Sequence, residues 1–243
     1  MSWMPNHPNL NDTTKKELLI IHGALGAQDQ FVTLANELNN HYKVHLIDLP
    51  GHGGNLVKGY DFSIPSFADY VIDYCVKKNL VSPSVFGYSM GGFVAMYIAK
   101  NYKGKLNRII TLATKYHWDE NTALKESKML DAEVIREKVP VFAKQLETRH
   151  GKMEWISLLH QTKNLLYTLG HINFISAEES SQIKNPCLLI LGDRDKMVTM
   201  DETVSVYRNL PDGQLAILPG TPHPIEQVDP SLLSMFIHRF LSA

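Results

Sequence analysis

The sequence predicts an α/β protein: a mostly parallel, doubly wound sheet with helices on both faces, carrying a helical lid. Two observations predict the sheet, and a third predicts the lid. Short apolar runs of strand length recur along the chain, and amphipathic segments of helical spacing separate them. That alternation builds a parallel sheet covered on both faces, with ligands bound at the carboxyl ends of its strands. Between residues 115 and 184 the alternation stops, and only helical spacing remains.

The elements follow in order. Leu18, Leu19, Ile20 and Ile21 read as a buried strand, and residues 31–38 as a helix with Phe31, Leu34, Ala35 and Leu38 on one face. The next strand covers residues 44–49 and stops at Pro50 and Gly51. Residues 63–76 are amphipathic, with Phe67, Val71, Tyr74 and Cys75 inward. A strand at 84–86, a helix at 90–101 and a strand at 108–112 follow. Leu124, Met129, Ile135, Val139, Phe142 and Leu146 then keep helical spacing among many charges, and Pro140 and the 149–152 stretch break this region into separate helices. The pattern resumes with a strand at 187–191, a helix at 201–208, a strand at 215–218 and a closing helix at 232–241.

At 243 residues the chain is long enough for one large α/β domain, expected here over 1–243 with 115–184 inserted as the lid. Its 24 basic and 25 acidic residues give a net charge of -1 with no long run of either sign, which argues against a nucleic-acid partner. No apolar segment approaches the ~18 residues of a membrane helix. The polar first residues lack a secretory signal, so the expected compartment is the cytoplasm, and the expected state a monomer or homodimer. Cys75 and Cys187 lie in apolar surroundings far apart in sequence and read as two buried thiols.

Chemistry enters at residues 87–91, GYSMG, which fit G-x-S-x-G where strand gives way to helix. In such a turn a strained serine pushes its hydroxyl above the sheet, and side chains at Gly87 and Gly91 would collide with the sharply turned backbone. The amino end of the following helix directs free N–H groups at the site, which suits a nucleophile whose reaction generates an oxyanion. A serine hydroxyl needs a base, and the base an orienting carboxylate. "CLLILGDRDKMV" ends a strand with Asp193 and Asp195, and "LAILPGTPHPIE" ends the next with His223. The order Ser, Asp, His, each beyond a strand, is the one predicted for a serine on such a turn. Spacing alone leaves the two aspartates open. Among the other histidines, His22 and His52 follow strands, His45 lies in one, and the rest fall on helices, the lid or the tail.

On these residues the chain resembles the α/β-hydrolase superfamily, in its serine-nucleophile, lid-bearing branch, from about Leu18 to the carboxyl terminus. The resemblance implies the α/β-hydrolase fold with the lid after the sixth-strand position. In relatives with a G-x-x-D-x-x-V segment the acid aligns with Asp195, which makes Ser89, Asp195 and His223 the implied catalytic residues. In "IIHGALG" the family's His-Gly precedes the residue whose backbone N–H forms half the oxyanion hole. That residue is Ala24, with Met90 giving the other N–H. "DLPGHGGN" resembles the turn that shapes the pocket floor, and His22 and His52 are read as structural. Leu25, Trp118, Arg149 and Trp155 are the candidate substrate-binding residues, Arg149 as a carboxylate anchor; His150 and His160 are further lid residues that could line the pocket, with helix packing or surface the alternative for those in the lid.

No G-x-G-x-x-G or P-loop follows a strand, and no H-E-x-x-H or Cys–His cluster is present, so neither cofactor nor metal is expected. Serine in place of aspartate at the nucleophile position disfavours the epoxide-hydrolase and haloalkane-dehalogenase branches. Phe93 stands where menaquinone-pathway relatives commonly carry arginine, which argues against that lyase activity. The few polar residues before Leu18 imply that the family's leading hairpin is shortened or missing. The expected function is hydrolysis of an ester, thioester or similar acyl bond of a small to medium substrate. The alternatives are carbon–carbon bond hydrolysis or acyl transfer on the same residues, and a non-catalytic ligand-binding receptor. Met129, Leu130, Trp155, Leu158, Leu159, Leu165 and Leu166 are expected to bury over the mouth above Ser89.

Overall fold

The computed structural model describes residues 15–243. Lys16–Ile21 (β1), Tyr42–Ile47 (β2), Ser84–Tyr88 (β3), Ile109–Leu112 (β4), Cys187–Gly192 (β5) and Gly213–Leu218 (β6) form a parallel sheet in the order β2-β1-β3-β4-β5-β6. The helices between them are Val32–Leu38 (α1), Ile64–Lys77 (α2), Met90–Asn101 (α3) and Met200–Asn209 (α8), with Pro230–Ser242 (α9) closing the chain. The strand order reverses between β1 and β3. The loops after these two strands therefore diverge at their carboxyl ends and leave a crevice, the usual ligand position in an open α/β sheet.

Alternate residues of each strand feed opposite faces. Leu19 and Ile21 of β1 join the core built with α2, α3 and α8, whereas Leu18 and Ile20 join the core built with α1 and α9. This is the double winding that the alternating pattern predicts. Helix starts follow local chemistry: Ser63 caps α2 through the Ser66 N–H, and Thr199 and Glu202 form a capping box on α8. Strand β2 runs 42–47, two residues earlier than the apolar run suggests. As an edge strand it pairs Tyr42 with Lys16 and half-exposes its middle residues, so apolar content does not mark its ends. Cys75 and Cys187 are buried free thiols. The leading hairpin concerns residues that lie largely outside those described.

The lid helices sit between β4 and β5: Glu120–Ser127 (α4), Ala132–Lys138 (α5), Pro140–His150 (α6) and Glu154–His171 (α7). Helix α7 serves two cores. Its Leu165 and Leu169 pack into the main core with Met90 and Phe93, while Trp155 and Leu159 build a separate lid core with Ile135, Ala143 and Leu146. Met129 departs from the expectation: it is 71% exposed. It lies just past the end of α4, where no neighbouring helix covers it, and it borders the cavity mouth. Among the described residues no helix is long and apolar enough to cross a membrane.

Candidate active site

Ser89 stands between β3 and α3 with φ 51° and ψ -117°, the left-handed strain expected of a sharp strand-to-helix turn. Glycines are required around it. A Cβ on Gly87 would lie 2.5 Å from the Gly91 carbonyl, and one on Gly91 would lie 2.3 Å from the Ile21 carbonyl oxygen. The turn is pinned on both sides: the Ser89 N–H donates to the Leu112 carbonyl at 2.8 Å, and the Thr114 hydroxyl donates to the Ser89 carbonyl at 3.1 Å. Met90 begins α3, so its N–H lies where a helix has no acceptor of its own.

His223 follows β6, and its Nδ1 stands 2.8 Å from Oδ2 of Asp195, which follows β5. The other carboxylate oxygen of Asp195 accepts the N–H groups of Met197 (2.8 Å) and Val198 (2.9 Å). Burial works against ionisation of this carboxyl, yet His223 and the two amides hold it below the usual carboxylate range. An Asp195 carboxylate that accepts at Nδ1 places the proton there and leaves Nε2 as a free acceptor. The Tyr88 hydroxyl donates to the His223 carbonyl at 2.9 Å and ties this loop to the serine's own strand. Asp193 is exposed and accepts the Thr221 N–H at 3.3 Å.

The loop after β1 is held by buried histidines. His22 sits between Gly23 and the loop after β2, its Nδ1 at 2.8 Å from the Gly23 carbonyl and its Nε2 accepting the Leu49 N–H at 3.0 Å. Burial lowers its pKa to about 4, so the ring is neutral. His52 packs 4.8 Å from it, stacks on Phe62, and is also held neutral by burial. A third ring, His150 of the lid, is 3% exposed and bonds the Leu25 carbonyl and the Gly53 N–H.

Ser89, Met90, Ala24, Leu25 and His223 all line one cavity of about 690 Å³ under the lid. Trp118, Leu165, Leu166 and Leu169 supply apolar wall, with Met129, Val139 and Phe142 near the outside. Arg149 also lines it, but its guanidinium is engaged by the protein's own carboxylates, Asp29 at 3.0 Å and Glu226 at 3.6 Å. Trp155 is placed elsewhere: it is 3% exposed inside the lid core, with the Arg136 guanidinium 5.1 Å from its ring, and does not line the cavity. Its large apolar surface is consumed in joining α5, α6 and α7. His150, expected as a lid side chain that could line the pocket, does not border the cavity and instead bonds the loops after β1 and β2, while the sequence does not mark Glu226 as a site residue.

A parallel sheet, a serine on a strained turn after β3, and a histidine and acid on the loops after β6 and β5 define an α/β-fold hydrolase. The chain belongs to the family described as Hydrolase_4, serine aminopeptidase S33, whose model matches residues 12–229. It is 22% identical over 237 residues to (E)-2-((N-methylformamido)methylene)succinate hydrolase of Acinetobacter baylyi, covering 92% of this chain and 89% of that protein. It is 23% identical over 243 residues to the pimeloyl-[acyl-carrier protein] methyl ester esterase of Yersinia enterocolitica, covering 92% of each. Among solved structures, MenH from S. aureus superposes with a TM-score of 0.77 at 22% identity, covering 96% of this chain and 95% of the other.

Proposed function

We propose that the protein is a carboxylesterase-like serine hydrolase that cleaves an ester, thioester or similar acyl bond of a small to medium substrate. The observation that carries this reading is one wall: Ser89 on its strained turn and His223, itself bonded to the inaccessible Asp195 carboxylate, border the same largely apolar cavity. Ser89 Oγ attacks the acyl carbon, and His223 Nε2 takes its proton. Asp195 holds the imidazole tautomer and stabilises the imidazolium as it forms. The N–H groups of Ala24 and Met90 receive the developing oxyanion; losing one such donor typically costs ~3–4 kcal/mol. His223 then returns the proton to the leaving group, and water repeats the sequence on the acyl-enzyme. The relatives support ester chemistry by name, since one is a methyl ester esterase.

Labelling with a fluorophosphonate probe, run beside a screen of acyl substrates, tests the reading. Covalent labelling at Ser89 together with turnover of an ester or thioester is expected. Labelling without turnover of any acyl substrate would make the protein a ligand-binding receptor instead.

A further inference from the structure

We propose that His150, a lid residue, is a positioning residue for the oxyanion turn: it fixes the Leu25 carbonyl and so the direction of the Ala24 N–H. The proposal rests on the reading of Ala24 as an oxyanion donor. Residues 23–26 form a tight turn closed by the Gly26 N–H on the Gly23 carbonyl at 3.1 Å. Leu25 is its third residue, with φ 58°. Turns with a positive φ there ordinarily take glycine or asparagine, and a leucine persists only where its surroundings over-determine the conformation.

Three side chains supply that restraint. His22 bonds the Gly23 carbonyl at 2.8 Å, and Gln30 Oε1 accepts the Ala27 N–H at 3.1 Å. Both belong to the same stretch of chain as the turn. The third, His150, comes from 125 residues away and bonds the Leu25 carbonyl through Nε2 at 2.9 Å. Its tautomer follows from the network: Nδ1 accepts the Gly53 N–H at 3.0 Å, so Nε2 carries the proton and donates. The ring is buried and cannot easily turn away.

Next to it, Arg149 ties the same helix end to Asp29 beyond the turn and to Glu226 on the loop that carries His223. The end of α6 thus grips both loops that flank Ser89. The lid's seating is thereby coupled to the geometry of the turn, since a displaced α6 would release the Leu25 peptide and let Leu25 relax toward negative φ.

Two substitutions separate the contacts. His150→Gln keeps a donor near the Nε2 position and gives up the acceptor for Gly53. His150→Asn keeps an acceptor near the Nδ1 position and is too short to reach Leu25. Steady-state kinetics on p-nitrophenyl butyrate, normalised by fluorophosphonate titration, should show kcat falling roughly 10- to 100-fold in the Asn variant with KM nearly unchanged, a fraction of the loss from deleting an oxyanion donor. The Gln variant should keep kcat within a few-fold, at a similar melting temperature. Amide hydrogen exchange over residues 23–26 should accelerate in the Asn variant and not in the Gln variant. Equal kcat and equal exchange in the two variants, or the reverse ranking, would overturn the proposal. Exchange is independent of turnover: a wild type that neither labels nor turns over substrate would sink the esterase reading, while the exchange ranking still decides whether His150 holds the turn.

Discussion

The Asp195 carboxylate meets His223 Nδ1 at 2.8 Å, whereas Asp193, two residues earlier, turns aside to accept the Thr221 N–H at 3.3 Å. Asp195→Asn would present the histidine with the wrong partner for its tautomer. A loss of ~10⁴ in kcat is expected, as in serine proteases with the equivalent change. Asp193→Asn keeps an acceptor for Thr221 and should cost less than ten-fold, a modest effect for a group outside the reacting set. Steady-state kinetics on both variants check the pair, and a larger loss at Asp193 would reverse the assignment.

Ser89→Ala should remove nearly all turnover, by ~10⁴-fold or more, because only binding and the oxyanion donors would remain. The side-chain oxygen forms no helix cap. The turn is instead held by the Leu112 carbonyl and the Thr114 hydroxyl, both of which bond Ser89 main-chain atoms. The melting temperature should therefore stay within a few degrees. Turnover comparable to wild type would remove Ser89 from the mechanism.

Legibility followed local chemistry. The strands buried on both faces announce themselves as apolar runs, and the glycines at 87 and 91 are required by backbone collisions that the pentapeptide already encodes. Ser89 and the end of the apolar pattern mark both limits of Met90–Asn101. Edge strand β2 starts and ends two residues before the apolar run because its middle residues are half-exposed and apolar content does not mark its ends. Trp155 lies in the lid core and not on the cavity wall, a distinction the sequence does not carry, because an aromatic on an amphipathic helix has the same spacing whether it faces a cavity or a neighbouring helix. His150 is legible only as one of several lid side chains that could line the pocket, not as a residue that holds the turn after β1. Its partners, Leu25 and Gly53, come from loops more than ninety positions earlier, and no periodicity connects them.

The buried histidines set a pH dependence of stability. Burial holds His22 at about 4, His52 well below its ordinary value and His150 below it too. Each is neutral in the fold, while the unfolded chain binds a proton near pH 6.5. Unfolding therefore takes up protons below that pH, and stability should fall as pH drops from about 6.5 toward 4. His22 contributes up to ~1.4 kcal/mol per pH unit across that window, and His52 and His150 add to the slope in the same direction. The depressed carboxyl of Asp195 adds its loss only at lower pH. Urea unfolding at pH 7.5, 6.5, 5.5 and 5.0 measures the slope, and a flat profile would contradict neutral burial.

The lid sets the last expectation, the length of acyl group the cavity accepts. Leu165 and Leu169 are buried in the same core as Met90 and Phe93 and line the same cavity, so α7 walls the pocket near the helix that follows Ser89. Leu166 and Trp118 add further wall, and the cavity of about 690 Å³ lies within the range of small-molecule sites. An acyl chain seated on Ser89 would meet these side chains after a short distance, and a longer one would have to displace a helix that belongs to the main core. The catalytic efficiency for p-nitrophenyl esters should peak at short to medium acyl length and fall steeply by dodecanoate. Leu166→Ala removes wall without emptying the main core, because Leu166 is only partly buried, and should shift the optimum toward longer chains. Efficiency that keeps rising through dodecanoate in the wild type, or activation at a lipid interface, would mean that the lid opens as a unit and that the substrate class is wider than proposed.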